Sequence, residues 1–316
     1  MVSEQTAKEQ ISKTIKSIDL EIPNSKKIEG KVRDCYVLND NTRLLIATDR
    51  LSAFDVILTT IPFKGQVLTQ MAKYWFDKTT HILPNHIISY PHPNIMHAKE
   101  VKIIPIEVVV RAYLAGSAYR DYQAGKEISG VSLPSGMKKS EKLPQHIVTP
   151  STKEEKGNHD VPISEKEIIA RKIVSAELWE NVRTKALELF NFGSIEAEKK
   201  GFILVDTKYE FGLDVKTGEL TLADEIHTPD SSRYWLKESY QERFNSNQDP
   251  EMLDKEFVRR ELIKMGFMGD GEIPTLSDDF KAKTATRYIE VYEKITGETF
   301  TPAKEISAKE IITAIS

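Results

Sequence analysis

The 316-residue sequence has one cysteine, no long hydrophobic run and no internal repeat. Cys35 alone cannot form an intramolecular disulfide or a cysteine-built zinc or iron–sulfur centre, so a reducing compartment is expected. The most apolar stretch, residues 103–114, contains Glu107 and Arg111 and is shorter than the roughly 20 residues that cross a bilayer. The first residues lack the apolar core of a secretory signal. We therefore expect a cytoplasmic protein without a membrane span.

Charge of one sign is also not in excess. Lysine and arginine number 44 and aspartate and glutamate 48, which gives a formal net charge of −4. Because such a chain has no strong positive field, we expect neither nucleic acid nor an anionic membrane as a partner. The composition is 40% hydrophobic, which is typical of a globular protein with a buried core. Any anion must then be bound by a local site. The oligomeric state stays open, and a monomer is compatible with the sequence.

The order of apolar patterns predicts an α+β fold. Residues 26–49 have the pattern of two strands joined by a turn, and residues 65–80 carry apolar side chains at helical spacing. Residues 103–110 are typical of a buried strand. The strand-rich beginning therefore predicts an antiparallel N-terminal lobe.

The second half begins with a segment that has no sustained period, residues 123–164. Ser164 and Glu167 have the spacing of a capping box, which predicts that a helix begins there. Strands are expected at 202–210 and 220–225, separated by a turn.

A chain of this length commonly exceeds one hydrophobic core, so we expect two lobes. Residues 1–111 are predicted to form the antiparallel N-terminal lobe. Residues 112–316 are predicted to form the larger α+β lobe, in which residues 233–316 are mainly helical.

Two short basic sequences could bind phosphate. Lys31 and Arg33 follow Gly30 in a predicted turn, where backbone N–H groups and cations can meet phosphate oxygens. Lys64 stands at the start of a predicted helix, whose N-terminus favours anions. A solvated basic turn and a plain helix start explain these residues as well, and neither a P-loop nor a dinucleotide fingerprint occurs. Both alternatives stay open on these residues alone.

Two polar loops are less informative. Residues 48–55, TDRLSAFD, pack acids, an arginine and hydroxyls after an apolar strand. A turn that satisfies its own polar groups is the preferred interpretation of them. His159 and Asp160 suggest metal ligation, acid–base catalysis or substrate contact, although loop residues of these types are more often only solvated.

Arg111 ends the predicted buried strand and is soon followed by Ser117. A guanidinium presents its donors in a fixed fork, which suits a phosphate or a carboxylate. A structural ion pair with Glu107 or Asp121 explains Arg111 equally well.

The most specific sequence is VDTKYEFG, residues 205–212. Side chains alternate across a strand, so Asp206, Lys208 and Glu210 share one face. A solvent-facing strand would explain one such alternation. The partner strand weakens that alternative, because Asp224 or Glu225 must share the charged face and could join Glu210 at Mg²⁺. A site for nucleotide phosphate is therefore favoured.

Several of these segments together resemble one family, the phosphoribosylaminoimidazole-succinocarboxamide synthases, or SAICAR synthetases, of purine biosynthesis. The resemblance spans most of residues 30–233 in the family's order. The length and the extended middle segment are similar to the longer, fungal-type branch. The motifs that carry it are GKVRD, TDRLSAFD, VVVRAYLAGS, KLPQHIVTPSTKEEKGNHDVPIS, VDTKYEFG and ADEIHTPDSSR.

The resemblance implies an ATP-dependent ligase. The carboxylate of carboxyaminoimidazole ribonucleotide (CAIR) would be activated by ATP as an acyl phosphate, and L-aspartate would attack it to form the amide of SAICAR. It also implies a two-lobed fold related to ATP-grasp and kinase-like nucleotide binders, with ATP in the cleft. Cations and Mg²⁺ suit this chemistry, since a transferring phosphoryl group must be stabilised.

The resemblance also implies roles for single residues. The cations expected at the ATP phosphates are Lys31, Arg33 and Lys64. The carboxylates expected at Mg²⁺ are Glu210 and Asp224. The residues expected at the phosphate of CAIR are Arg111, Ser117 and Arg233. Lys208 and Asp206 are expected at the reacting centre, with Lys208 on the CAIR carboxylate. The residues expected to help place CAIR or aspartate are His159, Asp160 and Asp230.

Two other classes of protein remain possible. A small-molecule or protein kinase would use similar cations, but the sequence lacks an H-R-D-x-x-x-x-N loop and a D-F-G triplet. A non-catalytic nucleotide sensor would bind ATP without turnover. Phosphate release that depends on aspartate would distinguish the ligase from the sensor.

Overall fold

The computed structural model describes residues 2–54, 56–153, 160–253, 255–304 and 308–315, and the predicted site residue His159 lies outside them. In these ranges the chain forms two five-stranded antiparallel sheets, a small hairpin and helices that pack against the sheets. The predicted α+β class is confirmed. Every helix in the described ranges is too short or too polar to cross a bilayer.

The first sheet belongs to the N-terminal part of the chain. Its strands are β1 (Lys26–Glu29), β2 (Arg33–Val37), β3 (Thr42–Ala47), β6 (Ile87–His92) and β7 (Ile95–Lys99). They lie in the order β1-β2-β3-β7-β6. The hairpin consists of β4 (Arg50–Ala53) and β5 (Val56–Thr60). The helices of this part are α1 (Glu4–Gln10), followed by a 3-10 turn (Ile11–Lys13), and α2 (Lys64–Thr79).

The second sheet carries most of the predicted site. Its strands are β8 (Val101–Tyr113), β9 (Lys142–Thr152), β10 (Phe202–Asp214), β11 (Leu220–Ala223) and β12 (Ser232–Leu236). Their order is β11-β10-β8-β9, and β12 also pairs with β10. The remaining helices are α3 (Gly116–Gln123), α4 (Glu165–Ala170), α5 (Ala176–Lys199), α6 (Lys237–Asn245), α7 (Glu256–Lys264), α8 (Asp278–Thr296) and α9 (Ala308–Ile315).

The main core lies between the second sheet and its helices. Tyr209 and Phe211 of β10 are fully buried in one cluster with Trp179 and Leu189 of α5 and Trp75 of α2. The apolar residues of α5 recur every three or four positions, which is the spacing of a helix with one buried face. Since the aromatic side chains of β10 turn towards α5, the charged residues that alternate with them turn away from the core.

Two local predictions are confirmed. The helix expected over 65–80 is α2. At the start of α4, Ser164 Oγ accepts a hydrogen bond from the Glu167 N–H at 3.2 Å, and the Glu167 carboxylate accepts one from the Ser164 N–H at 3.0 Å. Capping boxes and helical spacing depend on neighbours in sequence, which is why the sequence alone predicts them.

One other is wrong. Residues 123–164 include a long strand, β9, which pairs antiparallel with β8. Pro144 and Pro150 interrupt its pattern, and β9 lies at the edge of the sheet, where proline is tolerated. The prediction that residues 233–316 are mainly helical is confirmed, since α6, α7, α8 and α9 follow the short strand β12, which pairs with β10.

The two sheets meet between β7, which ends at Lys99, and β8, which begins at Val101. Strand β8 pairs with β9 and β10 in the second sheet over its whole length. The division at residue 111 stays a prediction, and by sheet membership the change lies about ten residues earlier.

His227 anchors the loop between β11 and β12. Its ring is fully buried, its Nε2 lies 2.5 Å from the Tyr209 hydroxyl oxygen, and it packs edge-to-face on Trp75. A side chain at Gly193 would begin 2.1 Å from the ring, so α5 needs glycine there. Burial lowers the pKa of His227 to about 3. The ring is therefore neutral in the folded protein at neutral pH.

We expect His227 to make the protein less stable in mild acid. Between its unfolded pKa of about 6.5 and its folded pKa, only the unfolded chain gains the proton, so the free energy of unfolding falls as pH falls. The loss should reach about 3 kcal/mol between pH 6.5 and pH 4. Urea denaturation of His227→Gln should show a flatter pH dependence than wild type. The control is His81→Gln, an exposed ring, and equal slopes in the two variants would contradict the prediction.

Candidate active site

The turn between β1 and β2 carries the first predicted cations. Gly30 donates its N–H to Arg33 O at 2.8 Å, and a Cβ at Gly30 would lie 2.6 Å from that oxygen, so only glycine fits. Arg33 crosses to the second sheet, where its Nη1 and Nη2 bond the two oxygens of Asp224 at 2.7 and 3.1 Å. Nη2 also bonds Glu225 at 2.6 Å. A predicted phosphate cation and a predicted metal ligand are thus brought together. Lys31 is exposed on the same turn.

The side chain of Arg50 binds the backbone of this turn. Its Nε donates to Lys31 O at 3.1 Å, and its Nη2 donates to Gly30 O at 3.0 Å and to Asp34 Oδ1 at 2.6 Å. Its Nη1 donates to Lys16 O. The side chain of Asp34 is completely buried. One guanidinium therefore fixes the backbone on which the predicted phosphate cations stand.

The preferred interpretation of residues 48–55 is wrong for the described part of that loop. One local bond exists, from the Arg50 N–H to Thr48 Oγ1 at 3.3 Å. The remaining polar groups reach other segments. Asp49 accepts the N–H of Gly65 at 3.0 Å and the N–H of Ile15 at 2.8 Å. Burial raises the pKa of Asp49 to about 6, although these two hydrogen bonds oppose the shift. Through Asp49 this segment connects the N-terminal residues to the start of α2.

Lys64 and Asp230 form a buried ion pair. Lys64 begins α2, its side chain is 0% exposed, and its Nζ donates to Asp230 Oδ2 at 2.7 Å. The Tyr288 hydroxyl donates to Asp230 Oδ1 at 2.7 Å, and Lys255 Nζ lies 3.8 Å from Oδ2. Burial favours the neutral acid, but Lys255 and Lys64 outweigh it and lower the pKa of Asp230. Lys64 thus contacts another predicted site residue, and its role at ATP stays a prediction.

The charged face of β10 begins with Asp206, which accepts hydrogen bonds from two arginines. Arg111 Nη1 donates to Asp206 Oδ2 at 2.9 Å, and Arg233 Nη1 bonds the same oxygen. Arg111 also donates to Thr149 at 2.9 Å and to Ser117 at 3.4 Å. Its partner is therefore neither of the acids considered from sequence. Glu256 Oε2 also lies 3.9 Å from Arg233 Nε, so two guanidinium groups and two carboxylates meet at this end of the face.

The same face continues with Lys208 and Glu210. Lys208 Nζ donates to Glu107 Oε1 at 2.6 Å, and Lys153 forms an ion pair with Glu210. Burial lowers the pKa of Lys208, but Glu107 and Glu210 outweigh it and raise the pKa, so Lys208 stays charged. Burial raises the pKa of Glu107, opposed by Lys208. Carboxylates and ammonium groups alternate along this face of the sheet.

A cavity of about 340 Å³ opens on this face. It holds six of the predicted site residues, Arg111, Ser117, Asp206, Lys208, Asp230 and Arg233. Six polar lining residues lie outside the predicted set: Thr207, Ser231, Ser232, Lys255, Glu256 and Arg259. The spacing of four between Lys255 and Arg259 places both on one face at the start of α7, a signal that was available in the sequence. A larger cavity, of about 620 Å³, lies between the N-terminal residues and α2 and holds none of the predicted residues.

The other predicted site residues of the described ranges are not among those that line this cavity. Asp160 is exposed beside the described end of the middle segment, and the roles of Asp160 and His159 stay predictions. Within the described ranges, no cluster of three or more His, Cys, Asp or Glu side chains forms a metal site. Glu210 pairs with Ala223 across β10 and β11, so Asp224 follows directly beside it. Two neighbouring carboxylates fit Mg²⁺ when phosphate oxygens supply further ligands.

Comparison with known proteins adds independent evidence. A family model described as SAICAR synthetase matches residues 26–274. The phosphoribosylaminoimidazole-succinocarboxamide synthase of Legionella pneumophila (strain Paris) is 47% identical over 88% of this chain and 90% of its own length. The enzyme of the same name from Flavobacterium psychrophilum is 45% identical over 92% of this chain and 93% of its own length.

Solved structures agree with the sequence relatives. The SAICAR synthase of Saccharomyces cerevisiae, solved in complex with SAICAR, is 32% identical and superposes with a TM-score of 0.77. It covers 90% of this chain and 99% of its own. A type-2 SAICAR synthetase in complex with ADP is 27% identical, with a TM-score of 0.67 over 87% of this chain and 100% of its own. These neighbours confirm the fold class expected from the sequence.

We expect the buried Arg50–Asp34 pair to be essential for the stability of the turn between β1 and β2. Arg50→Met would leave the buried carboxylate of Asp34 with the more distant Lys27 Nζ, 3.9 Å away. The free energy of unfolding should fall by about 3 kcal/mol, and adding Asp34→Asn should restore part of it. The control is Arg171→Met, which removes an exposed pair with Glu167 and should cost less than about 1 kcal/mol. Equal losses in urea denaturation of the two single variants would refute the prediction.

Proposed function

The chain belongs to the SAICAR synthetase family, and we propose that it is an ATP-dependent ligase that joins L-aspartate to CAIR and releases SAICAR, ADP and phosphate. The observation that carries this proposal is the charged face of β10, where motif residues of the family meet in one cavity. Such a reaction gathers three anionic substrates, and the face supplies the cations they need.

The phosphate of CAIR fits the end of the cavity formed by Arg111, Ser117 and Arg233. Arg111 and Arg233 share the carboxylate of Asp206, and Glu256 Oε2 lies 3.9 Å from Arg233 Nε. A phosphate would bond both guanidinium groups through their paired N–H donors. Gly116 supports this arrangement, because a Cβ there would lie 2.2 Å from the guanidinium of Arg233. Asp206 keeps the two guanidinium groups in place beside the reacting centre.

The phosphates of ATP are assigned to the turn that Arg50 holds. Lys31 and Arg33 stand on this turn, and Arg33 reaches the carboxylates of Asp224 and Glu225. Glu210 and Asp224 would hold Mg²⁺, which, when bound, neutralises charge on the transferring phosphate. The ammonium group of Lys64 is buried, so in this proposal Lys64 does not bind the ATP phosphates directly. It holds the carboxylate of Asp230 in place.

The chemistry takes place near Lys208. A carboxylate oxygen of CAIR attacks the γ-phosphorus of ATP, the bond to the bridging oxygen breaks, and ADP leaves. The amine of aspartate then attacks the acyl carbon, the bond to the phosphate oxygen breaks, the nitrogen loses one proton to the departing phosphate, and the amide forms. Lys208 is charged and 37% exposed in the cavity, so its ammonium group can bind the carboxylate as it is phosphorylated.

The direct test is to supply ATP, Mg²⁺, CAIR and L-aspartate and to detect SAICAR by mass. Product should depend on aspartate and should be lost when Mg²⁺ is removed by a chelator. A kinase would phosphorylate CAIR or another acceptor without forming the amide, and a sensor would release no phosphate. Folded protein that forms no SAICAR would refute the proposed function.

Lys208→Met should lower kcat by roughly 10²–10³-fold, the range seen when one preorganised donor is removed. If Lys208 served only the ion pair with Glu107, the substitution would mainly lower stability. The thermal midpoint and the turnover at saturating substrates should therefore be measured together. A large fall in midpoint with near-normal turnover would remove Lys208 from the mechanism.

A further inference from the structure

The cavity has a second cationic end that the proposed function has not used. Lys255 stands immediately before α7, and its side chain is 15% exposed in the cavity. Its Nζ lies 3.4 Å from Ser52 Oγ and 3.8 Å from Asp230 Oδ2. Arg259 lies one turn further along α7 and lines the same cavity. Glu256 lies between this end and the Arg111 and Arg233 pair, because its Oε2 is 3.3 Å from Arg259 Nη1 and 3.9 Å from Arg233 Nε.

The carboxylate nearest to Lys255 is already bound by other groups. Asp230 accepts hydrogen bonds from Lys64 and Tyr288, both at 2.7 Å. Lys255 lies too far from Asp230 for a hydrogen bond, so it shares that charge only at longer range. Arg259 bonds Glu256 of its own helix at 3.3 Å. Two lysines therefore face one buried carboxylate.

This crowding makes the charged form of Lys255 less favourable. Burial lowers the pKa of Lys255 to about 8, the nearby Lys64 and Arg259 act in the same direction, and Asp230 and Glu225 oppose them. An anion placed in the cavity beside Lys255 would compensate the ammonium charge. Binding of that anion would then draw a proton to Lys255 above pH 8.

The proposed reaction leaves one anion for this position. The phosphate of CAIR is assigned to Arg111 and Arg233, its carboxylate to Lys208, and the ATP phosphates to the turn at Arg33. L-Aspartate also carries two carboxylates, and its amine must reach the carbon held near Lys208. Lys208 and Lys255 both line this cavity of about 340 Å³.

We propose that Lys255 binds a carboxylate of L-aspartate and is a specificity-determining residue for that dicarboxylic substrate. This inference rests on the proposed function. Ser52 orients the ammonium group of Lys255, because its Oγ accepts a hydrogen bond from Nζ at 3.4 Å. Asp230, which Lys64 and Tyr288 hold in place, lies next to that ammonium group. The ammonium group of Lys255 then favours, among amine substrates, one whose carboxylate can form an ion pair with it.

The test compares Lys255→Gln and Lys255→Arg with wild type in steady-state kinetics. Loss of one charge-assisted contact corresponds to about 10–100-fold in binding. Lys255→Gln should therefore raise KM for aspartate by at least tenfold, with KM for CAIR and for ATP changed less than twofold. Lys255→Arg keeps a cation and should retain most of the affinity for aspartate. The control is Lys264→Gln, an exposed lysine on the same helix, which should behave as wild type.

The pH dependence gives a second readout that a merely structural residue would not change. In wild type, KM for aspartate should rise as pH increases through about 8, because Lys255 loses its proton. In Lys255→Arg this rise should disappear between pH 7 and 9, since guanidinium does not titrate there. This variant keeps the inference testable even if Lys255→Gln does not fold.

The outcomes separate the two proposals. Wild type that makes SAICAR while KM for aspartate is unchanged in Lys255→Gln would overturn the inference alone. A rise confined to KM for CAIR would assign Lys255 to the nucleotide and would also overturn it. Equal pH profiles in wild type and Lys255→Arg would do the same. Wild type that makes no SAICAR would refute the proposed function, and the inference with it.

Discussion

Strand β10 determines the arrangement of the site, because its side chains alternate between two environments. Tyr209 and Phe211 enter the core against α5, and Lys208 and Glu210, which alternate with them along the strand, lie on the opposite face. A shift of one residue in register would exchange the two sets and place charges in the core. The core packing that stabilises the fold therefore also fixes the positions of the charged groups.

The charged groups on this face are held mostly as pairs across segments that are distant in sequence. Arg33 bonds Asp224 of the other sheet, and Lys64 of α2 bonds Asp230. Removing one member of a buried pair is much more destabilising than replacing both, since an isolated charge then remains inside the protein. Pairing thus keeps many cations in a small volume without a ligand. It also means that each anionic substrate must compete with, or add to, an existing carboxylate.

Several predictions depended only on local sequence, and these agree with the structure. Helix α2, the capping box at Ser164 and the common face of Lys208 and Glu210 follow from spacing over a few residues. Strand β9 was missed because its two prolines obscure the alternation, and only its pairing with β8 at the sheet edge makes it a strand. Lys255 was missed because its spacing of four from Arg259 predicts only a shared helix face, and the tertiary structure decides that this face lines the cavity.

By itself the sequence determined the α+β class, the family resemblance and the set of residues that carry charge. Tertiary structure decided which charges meet. Arg111 bonds Asp206 rather than either acid near it in sequence, because β8 and β10 pair in that register. Lys64 is inside the protein because the loop that carries Asp230 folds over the start of α2. Such contacts join residues more than ninety positions apart, and no local periodicity specifies them.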